Sequence, residues 1–334
     1  MENKKPLLSI CIPTYNRSEY LDICIASIVS QKDFLSEDVE LVISDNASTD
    51  NTEEVVRKYQ EQYKNIFYSR NEVNNTDKNF PTVIGKAHGV FRKLFNDTLI
   101  FFNGSIMHIL GIIKKYLEKR PVLFFMNNNN RKWKKILTAD CFDSFVKIAS
   151  FWTTAIACFG IWEDDFEKIE NKYDGCELHL WQTKVLFEIV ARKKVIFIDN
   201  VCLFLVQELP KRNIFGYFDI FYNNYYIGLC GKYFAMQLIT KKNFFYLKKH
   251  LFLDFFLNYM AALYINEKKY EISRDKDMRE PIIFAYQNEV YYKYYYFLLI
   301  VKVFKMYIRN KLKKFSIIKK CYLKLKIIYL RKMI

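Results

Sequence analysis

The sequence has 334 residues, 51% of them hydrophobic, and a formal net charge of +16. Such an apolar share excludes a disordered chain and allows one large domain with an appendage. The eight cysteines lack CxxC or Cys/His ligand spacing, and no apolar run reaches the roughly 18 residues of a membrane span, which argues against zinc modules, disulfide scaffolds and integral membrane proteins. Cys11, Cys24 and Cys158 sit inside apolar runs, as buried thiols of a reducing compartment do, and no basic-then-apolar leader precedes LLSICIP. A cytoplasmic location is expected.

In chain order, LLSICI reads as a buried strand, and SEYLDICIASIVSQ carries Leu21, Ile25 and Ile28 at helical spacing. VELVIS is a second strand. NTEEVVRKYQEQY is a second helix, with Asn51 as its N-cap and Glu54 as the reciprocal partner. NIFYS is a third strand. Strands separated by helical stretches of this length imply βαβ units, hence an α/β fold with a parallel sheet. KLFNDTLIFFNG then sets Asn96-Asp97-Thr98 between two greasy runs, a costly place for a lone carboxylate unless something uses it. NNNN at 127–130 reads as an exposed loop, and beyond about residue 206 the chain turns aromatic and helical, with no turn signals for a second sheet.

Parallel sheets bind ligands beyond the carboxyl ends of their strands, so the residues there matter most. The first strand ends in PTYNR, Pro13 to Arg17, and the second in SDNASTD, Ser44 to Asp50. No GxGxxG or Walker loop occurs, which argues against a dinucleotide dehydrogenase or a P-loop NTPase. The strand ends offer instead a hydroxyl, an aromatic ring and a carboxylate, which suit a nucleotide pocket made without glycines.

LSICIPTYNRSEYLDICIASIVSQ followed by VELVISDNASTDNTEEVVRKYQ resembles the opening of family 2 glycosyltransferases of the GT-A fold, which transfer a sugar from a nucleotide donor with inversion. The resemblance is strongest over residues 7–64 and extends to about 200. It implies a Rossmann-like, mostly parallel mixed sheet with flanking helices as the catalytic domain, residues 1–205, and is absent in the tail; the composition and charge pattern set off a helical region, 206–290, and a basic aromatic tail, 291–334. It also implies that Pro13, Thr14 and Tyr15 line the nucleoside site and that Asp45 binds the base. Lys78-Asn79 stands where the family carries an Arg-Asn pair near the donor diphosphate. AHGVF, residues 87–91, stands where Ala-x-Gly-Glu-Tyr leads into the metal-binding strand. There the family usually has Asp-x-Asp or Asp-Asp, thinned here to NDT. Asp97 is then the one protein carboxylate for Mg²⁺ or Mn²⁺, with Asn96 a neutral helper. Mg²⁺ accepts this, because it often takes one or two carboxylates and completes its shell with phosphate oxygens and water.

FGIWEDDFEKIENKYDGCELHLWQ, residues 159–182, has the layout that precedes the family's catalytic Glu-Asp pair. Glu177 falls where the catalytic Asp belongs, one methylene longer, and His179 is the competing base. Asp164 and Asp165 read as a solvated helix start, with acceptor binding as the alternative. His88, His108 and His250 share no spacing with other ligand types.

Thirteen of the sixteen net positive charges lie after Glu289, where no acid follows. Aromatics and aliphatics interleave with these bases, which suits a helix lying in an anionic bilayer surface, with nucleic-acid binding and a packed helical subdomain as rivals. The expectation is a metal-dependent inverting glycosyltransferase, peripheral on the inner face of a bacterial cell membrane. It would use a nucleotide-sugar donor, a UDP-sugar foremost, and no nucleic acid. The acceptor would be a glycan or polyprenyl-linked saccharide of capsule, O-antigen or lipooligosaccharide. The rival class is an inactive relative serving as a basic scaffold.

Overall fold

The computed structural model describes residues 5–127, 135–193, 195–207, 225–258, 260–261 and 286–314. The chain divides into two compact units, Met1–Gln207 and Glu208–Ile334.

The first unit opens with β1 (Leu8–Thr14), α1 (Ser18–Val29), β2 (Val39–Asp45), α2 (Thr52–Gln60), β3 (Ile66–Arg70), α3 (Asn79–Gly85) and β4 (Phe91–Leu94). It continues through β5 (Leu99–Phe101), α4 (Ser105–Tyr116), β6 (Val122–Phe125), β7 (Ile136–Ala139), α5 (Phe142–Ala149), β8 (Gly160–Trp162) and α6 (Glu163–Glu167). It closes with α7 (Trp181–Arg192), β9 (Ile196–Asp199) and β10 (Phe204–Val206). The main sheet has the order β3-β2-β1-β4-β8, parallel except for β8, which pairs antiparallel with β4. β2 is buried along its whole length and β1 at all but one position, because helices cover both faces, and this is why their sequences are near-continuous apolar runs. A second sheet runs β6-β9-β7, and β5 pairs with β10. Between the layers, Leu21, Cys24, Ile25 and Ile28 of α1 are buried.

The chain order of strands and helices follows the sequence reading, and the fold is mostly parallel α/β as expected. One cap differs. Asn51 makes no side-chain capping bond to α2; Asp50 does the work, accepting from Thr52 N at 3.2 Å through Oδ1 and from Ser18 N at 2.9 Å through Oδ2. One carboxylate therefore closes the starts of α1 and α2 together. Burial would raise its pKa, but the bonds from Thr52 and Ser18 outweigh that and hold it below the usual carboxylate range. Of the NNNN stretch, only Asn127 is described. It is half-buried and accepts from Phe204 N at 3.1 Å, so it serves β10 rather than an exposed loop.

Gly89, within the AHGVF stretch, is required by a close approach. Its N–H donates to Ser9 Oγ at 2.8 Å, and a Cβ there would stand 2.4 Å from that oxygen. The same point holds a buried carboxylate: Glu40 Oε1 accepts from Ser9 Oγ and from His88 N, each at 2.6 Å.

The second unit is helical where described: α8 (Tyr225–Ala235), α9 (Lys241–His250), a wide helical turn at Leu251–Phe256, and α10 (Tyr295–Lys314). Phe252 packs against Tyr286, Tyr291 and Tyr295, with ring centroids 5.1, 5.2 and 6.0 Å away. Residues 291–299 thus begin inside an aromatic cluster. Further along α10, Phe297, Ile300, Phe304 and Ile308 are exposed at helical spacing. The rest of the basic tail, 315–334, lies outside the described residues, and no described helix is long and apolar enough to cross a membrane.

Candidate active site at the strand ends

Strand register brings the first site residues together. Thr14 lies opposite Asp45 across β1 and β2, and Asp45 lies opposite Arg70 across β2 and β3. Asp97, in the connection from β4 to β5, reaches the same edge. Thr14 Oγ1 donates to its Oδ2 at 2.9 Å, and Arg17 donates to its Oδ1 at 3.1 Å. Asp97 is 2% exposed, and burial raises its pKa while Arg17 and Thr14 pull the other way. Asn96 beside it is half-buried.

Asp45 is fully buried and its oxygens are occupied by the protein. Oδ1 accepts from Ser48 N at 2.8 Å, and Oδ2 from Tyr68 Oη at 2.7 Å and from Arg70 at 3.2 Å. Burial and this carboxylate push the Tyr68 phenol upward, so the tyrosine remains the donor. In this state the Asp45 carboxylate braces the ends of β2 and β3, and what lies open beside it is the Tyr15 ring, 43% exposed. Pro13 is half-buried behind it. Asn16 adopts a left-handed backbone (φ 49°), and its Oδ1 accepts from Thr49 N at 2.7 Å, which stitches the PTYNR loop to the SDNASTD loop.

Lys78 and Asn79 differ in what their side chains do. Asn79 is buried and exchanges both its amide groups with Ser44, donating to Ser44 O at 2.8 Å and accepting from Ser44 Oγ at 2.7 Å. It therefore fastens the loop before α3 to the end of β2 and leaves Lys78, which is exposed, as the side chain facing solvent. Asn46 adds to this fastening, donating to Asn74 Oδ1 at 2.7 Å and to Thr76 O at 3.2 Å.

Glu177 lies in a tight turn between α6 and α7, with Gly175 and His179 both left-handed (φ 94° and 54°). Its carboxylate is exposed and turns back to accept from Gly175 N at 3.1 Å. His179 reaches across to the 76–78 turn, with Nδ1 2.9 Å from Asp77 Oδ2. Asp164 and Asp165 are ion-paired with Arg120 and Lys193 at the start of α6, apart from these residues.

Arg17 and Asp77 went unread in the sequence. A counter-charge for a lone buried carboxylate could have been sought, and the basic residue ending PTYNR was the nearest; nothing local marks Asp77. Among the described residues, no group of three His, Cys, Asp or Glu side chains converges as a metal cage. One carboxylate at a strand end nonetheless suits Mg²⁺ or Mn²⁺ carried in on a diphosphate, provided that Arg17 gives up Oδ1.

A family model described as glycosyl transferase family 2 matches residues 9–91. The abequosyltransferase RfbV of Salmonella typhimurium is 39% identical over 120 residues, 35% of this chain and 34% of that protein. The GalNAc(5)-diNAcBac-PP-undecaprenol beta-1,3-glucosyltransferase of Campylobacter jejuni is 31% identical over 107 residues, 31% of this chain and 34% of that protein. The matched region thus spans about a third of the length of these curated relatives. The mannosyltransferase PcManGT from Pyrobaculum calidifontis, solved with GDP-Man and Mn²⁺, shares the fold with a TM-score of 0.52 at 14% identity, covering 90% of this chain and 88% of that one.

Proposed function

We propose that this chain, which belongs to the family 2 glycosyltransferases, moves one sugar from a nucleotide-sugar donor to a saccharide or lipid-linked saccharide acceptor of a bacterial surface glycan. The first unit is the catalytic domain, and the observation that carries the reading is the convergence of Thr14, Tyr15, Arg17, Asp45 and Asp97 on one strand-end edge. The relatives' own activities support the glycan context: one is an abequosyltransferase, and another is named for an undecaprenol-linked acceptor.

The reaction is a single in-line displacement with inversion at the anomeric carbon. Tyr15 offers its face to the base, and the polar strand ends hold the ribose and phosphates. Lys78 and Arg17 supply positive charge for the departing diphosphate, which costs less reorganisation than water would. A divalent ion bound between Asp97 and the diphosphate would add Lewis-acid neutralisation of the leaving group. Glu177 and His179, on one turn, are the candidates for taking the acceptor proton. The basic tail, with the exposed apolar stripe of α10, holds the enzyme on the inner membrane face.

The test is calorimetric binding and donor hydrolysis across UDP-, dTDP-, CDP- and GDP-sugars, with Mg²⁺ or Mn²⁺. We expect one pyrimidine class, UDP-sugars foremost, to bind and turn over, and Asp97→Ala to abolish turnover while Asn96→Ala only weakens it. Full turnover in excess chelator overturns the metal assignment, and no binding in any class overturns the reading.

A further inference from the structure

We propose that His179 is the catalytic base of the transfer and Asp77 its positioning residue, an imidazole–carboxylate dyad assembled from two turns that are 102 residues apart. This rests on the glycosyl-transfer reading above. A carboxylate only accepts, so the 2.9 Å contact from Asp77 Oδ2 makes Nδ1 the proton-bearing nitrogen and leaves the basic lone pair on Nε2. Among the described residues Nε2 has no hydrogen-bond partner, and the ring is 48% exposed, so a hydroxyl can reach it.

The turn is built to hold that ring. His179 sits at φ 54°, a region that costs a non-glycine residue about 1 kcal/mol or more and persists only where the surroundings enforce it. His179 N donates to Cys176 O at 3.1 Å, Leu180 N to Gly175 O at 3.3 Å, and Trp181 Nε1 anchors the following helix on Lys172 O at 2.7 Å. The facing turn is just as fixed. Asp77 lies between Thr76, whose carbonyl accepts from Asn46, and the Asn79–Ser44 exchange, so its backbone is flanked on both sides by bonds to the end of β2. Glu177 lacks such an arrangement, because its carboxylate is exposed and folded onto its own turn.

Asp77 is the charged group in contact with the imidazole, and Asp77, Lys78, Asp174 and Glu177 all act on the neighbouring Cys176 of the same turn. Lys184 is held by Asp174 and Glu188. Burial holds the Asp77 pKa above the usual carboxylate value, and the imidazole facing it offsets only part of that rise. In the step, the acceptor oxygen bonds to the anomeric carbon as the carbon–oxygen bond to the diphosphate breaks. The electron pair leaves on the diphosphate, and the hydroxyl proton passes to Nε2. Asp77 stabilises the resulting imidazolium, which releases its proton to water before the next turnover.

The experiment measures hydrolysis of the nucleotide sugar that the wild type accepts, with water standing in for the acceptor hydroxyl, and UDP affinity by calorimetry. His179→Gln should lower turnover by roughly 10²–10⁴-fold with UDP affinity retained. Asp77→Asn should lower it less and move the acid limb of the pH profile to lower pH, because the imidazolium loses its counter-charge. Asp77→Glu should restore part of the loss, and Glu177→Gln should cost only a few-fold. A His179→Gln protein within threefold of wild type, a large loss in Glu177→Gln alone, or an unmoved acid limb in Asp77→Asn overturns the dyad. Should His179→Gln not fold, the imidazole titration followed by NMR in wild type and Asp77→Asn decides, and an unmoved midpoint again overturns it. A wild type that binds no nucleotide sugar is a different failure, which removes the glycosyl-transfer reading and the dyad with it.

Discussion

Arg17→Ala isolates the electrostatics of the lone carboxylate. The guanidinium lies 3.1 Å from Asp97 Oδ1, and the two side chains are 49% and 3% exposed. At an effective dielectric of about 20, a pair at this separation attracts by about 5 kcal/mol. Solvent around the half-exposed arginine screens much of this, so the loss falls between that of a surface pair and that of a broken buried one, about 1–3 kcal/mol. In a unit of this size that is roughly 2–12 °C in Tm. The pH dependence has a definite sign. Burial raises the Asp97 pKa above its unfolded value, so the folded state binds the proton more tightly, and stability is lost as pH rises through the folded pKa. Removing Arg17 raises that pKa further. The gap between wild type and variant should therefore be small near pH 4 and widen towards neutral pH. Thermal unfolding monitored by circular dichroism between pH 4 and 8 measures it, and a gap that is constant or shrinks with pH refutes the reasoning.

Gly89→Ala places a Cβ 2.4 Å from Ser9 Oγ and 2.8 Å from Ser9 N, so it should cost about 3 kcal/mol or more in urea unfolding. Adding Ser9→Ala should recover only part, because the backbone nitrogen cannot move away; full recovery would mean the hydroxyl was the whole problem. Tyr68→Phe removes one donor from fully buried Asp45 and should lower stability by about 1.5–3 kcal/mol with UDP affinity little changed. If affinity collapses while stability holds, Tyr68 touches the nucleotide itself. Deleting residues 300–334 spares the aromatic cluster around Phe252 and should release the protein from phosphatidylserine vesicles, with high salt releasing it only partly. A truncated protein that still floats with vesicles refutes the anchor.

What could be read in advance was whatever local chemistry dictates. β1 and β2 announce themselves as apolar runs because both faces are buried, and Asp97 stands out because an acid between two greasy segments must be used or cost stability. The N-cap of α2 was missed by one residue because Asp50 caps across to Ser18, a contact made only when the two loops meet. Asn79 reads the same as any loop amide until the register of β2 places Ser44 against it. Spacing within a chain carries no information about a pair such as Asp77 and His179, since folding alone brings their turns together.

The same distinction bears on the proposed metal site, whose one carboxylate, Asp97, is already paired with Arg17. With a single carboxylate neutralised by Arg17, the strand-end edge offers a free cation little net attraction, and a cage of several acids is absent among the described residues. A diphosphate changes that balance. Its negative oxygens would attract Arg17 away from Oδ1 and would supply most of the ligands a small divalent ion needs. Metal and nucleotide would then bind as one species, with affinity for either alone much weaker than for both. The arginine that ends PTYNR is coupled to the acid of NDT through a single oxygen, and in the proposed reaction donor arrival would separate them.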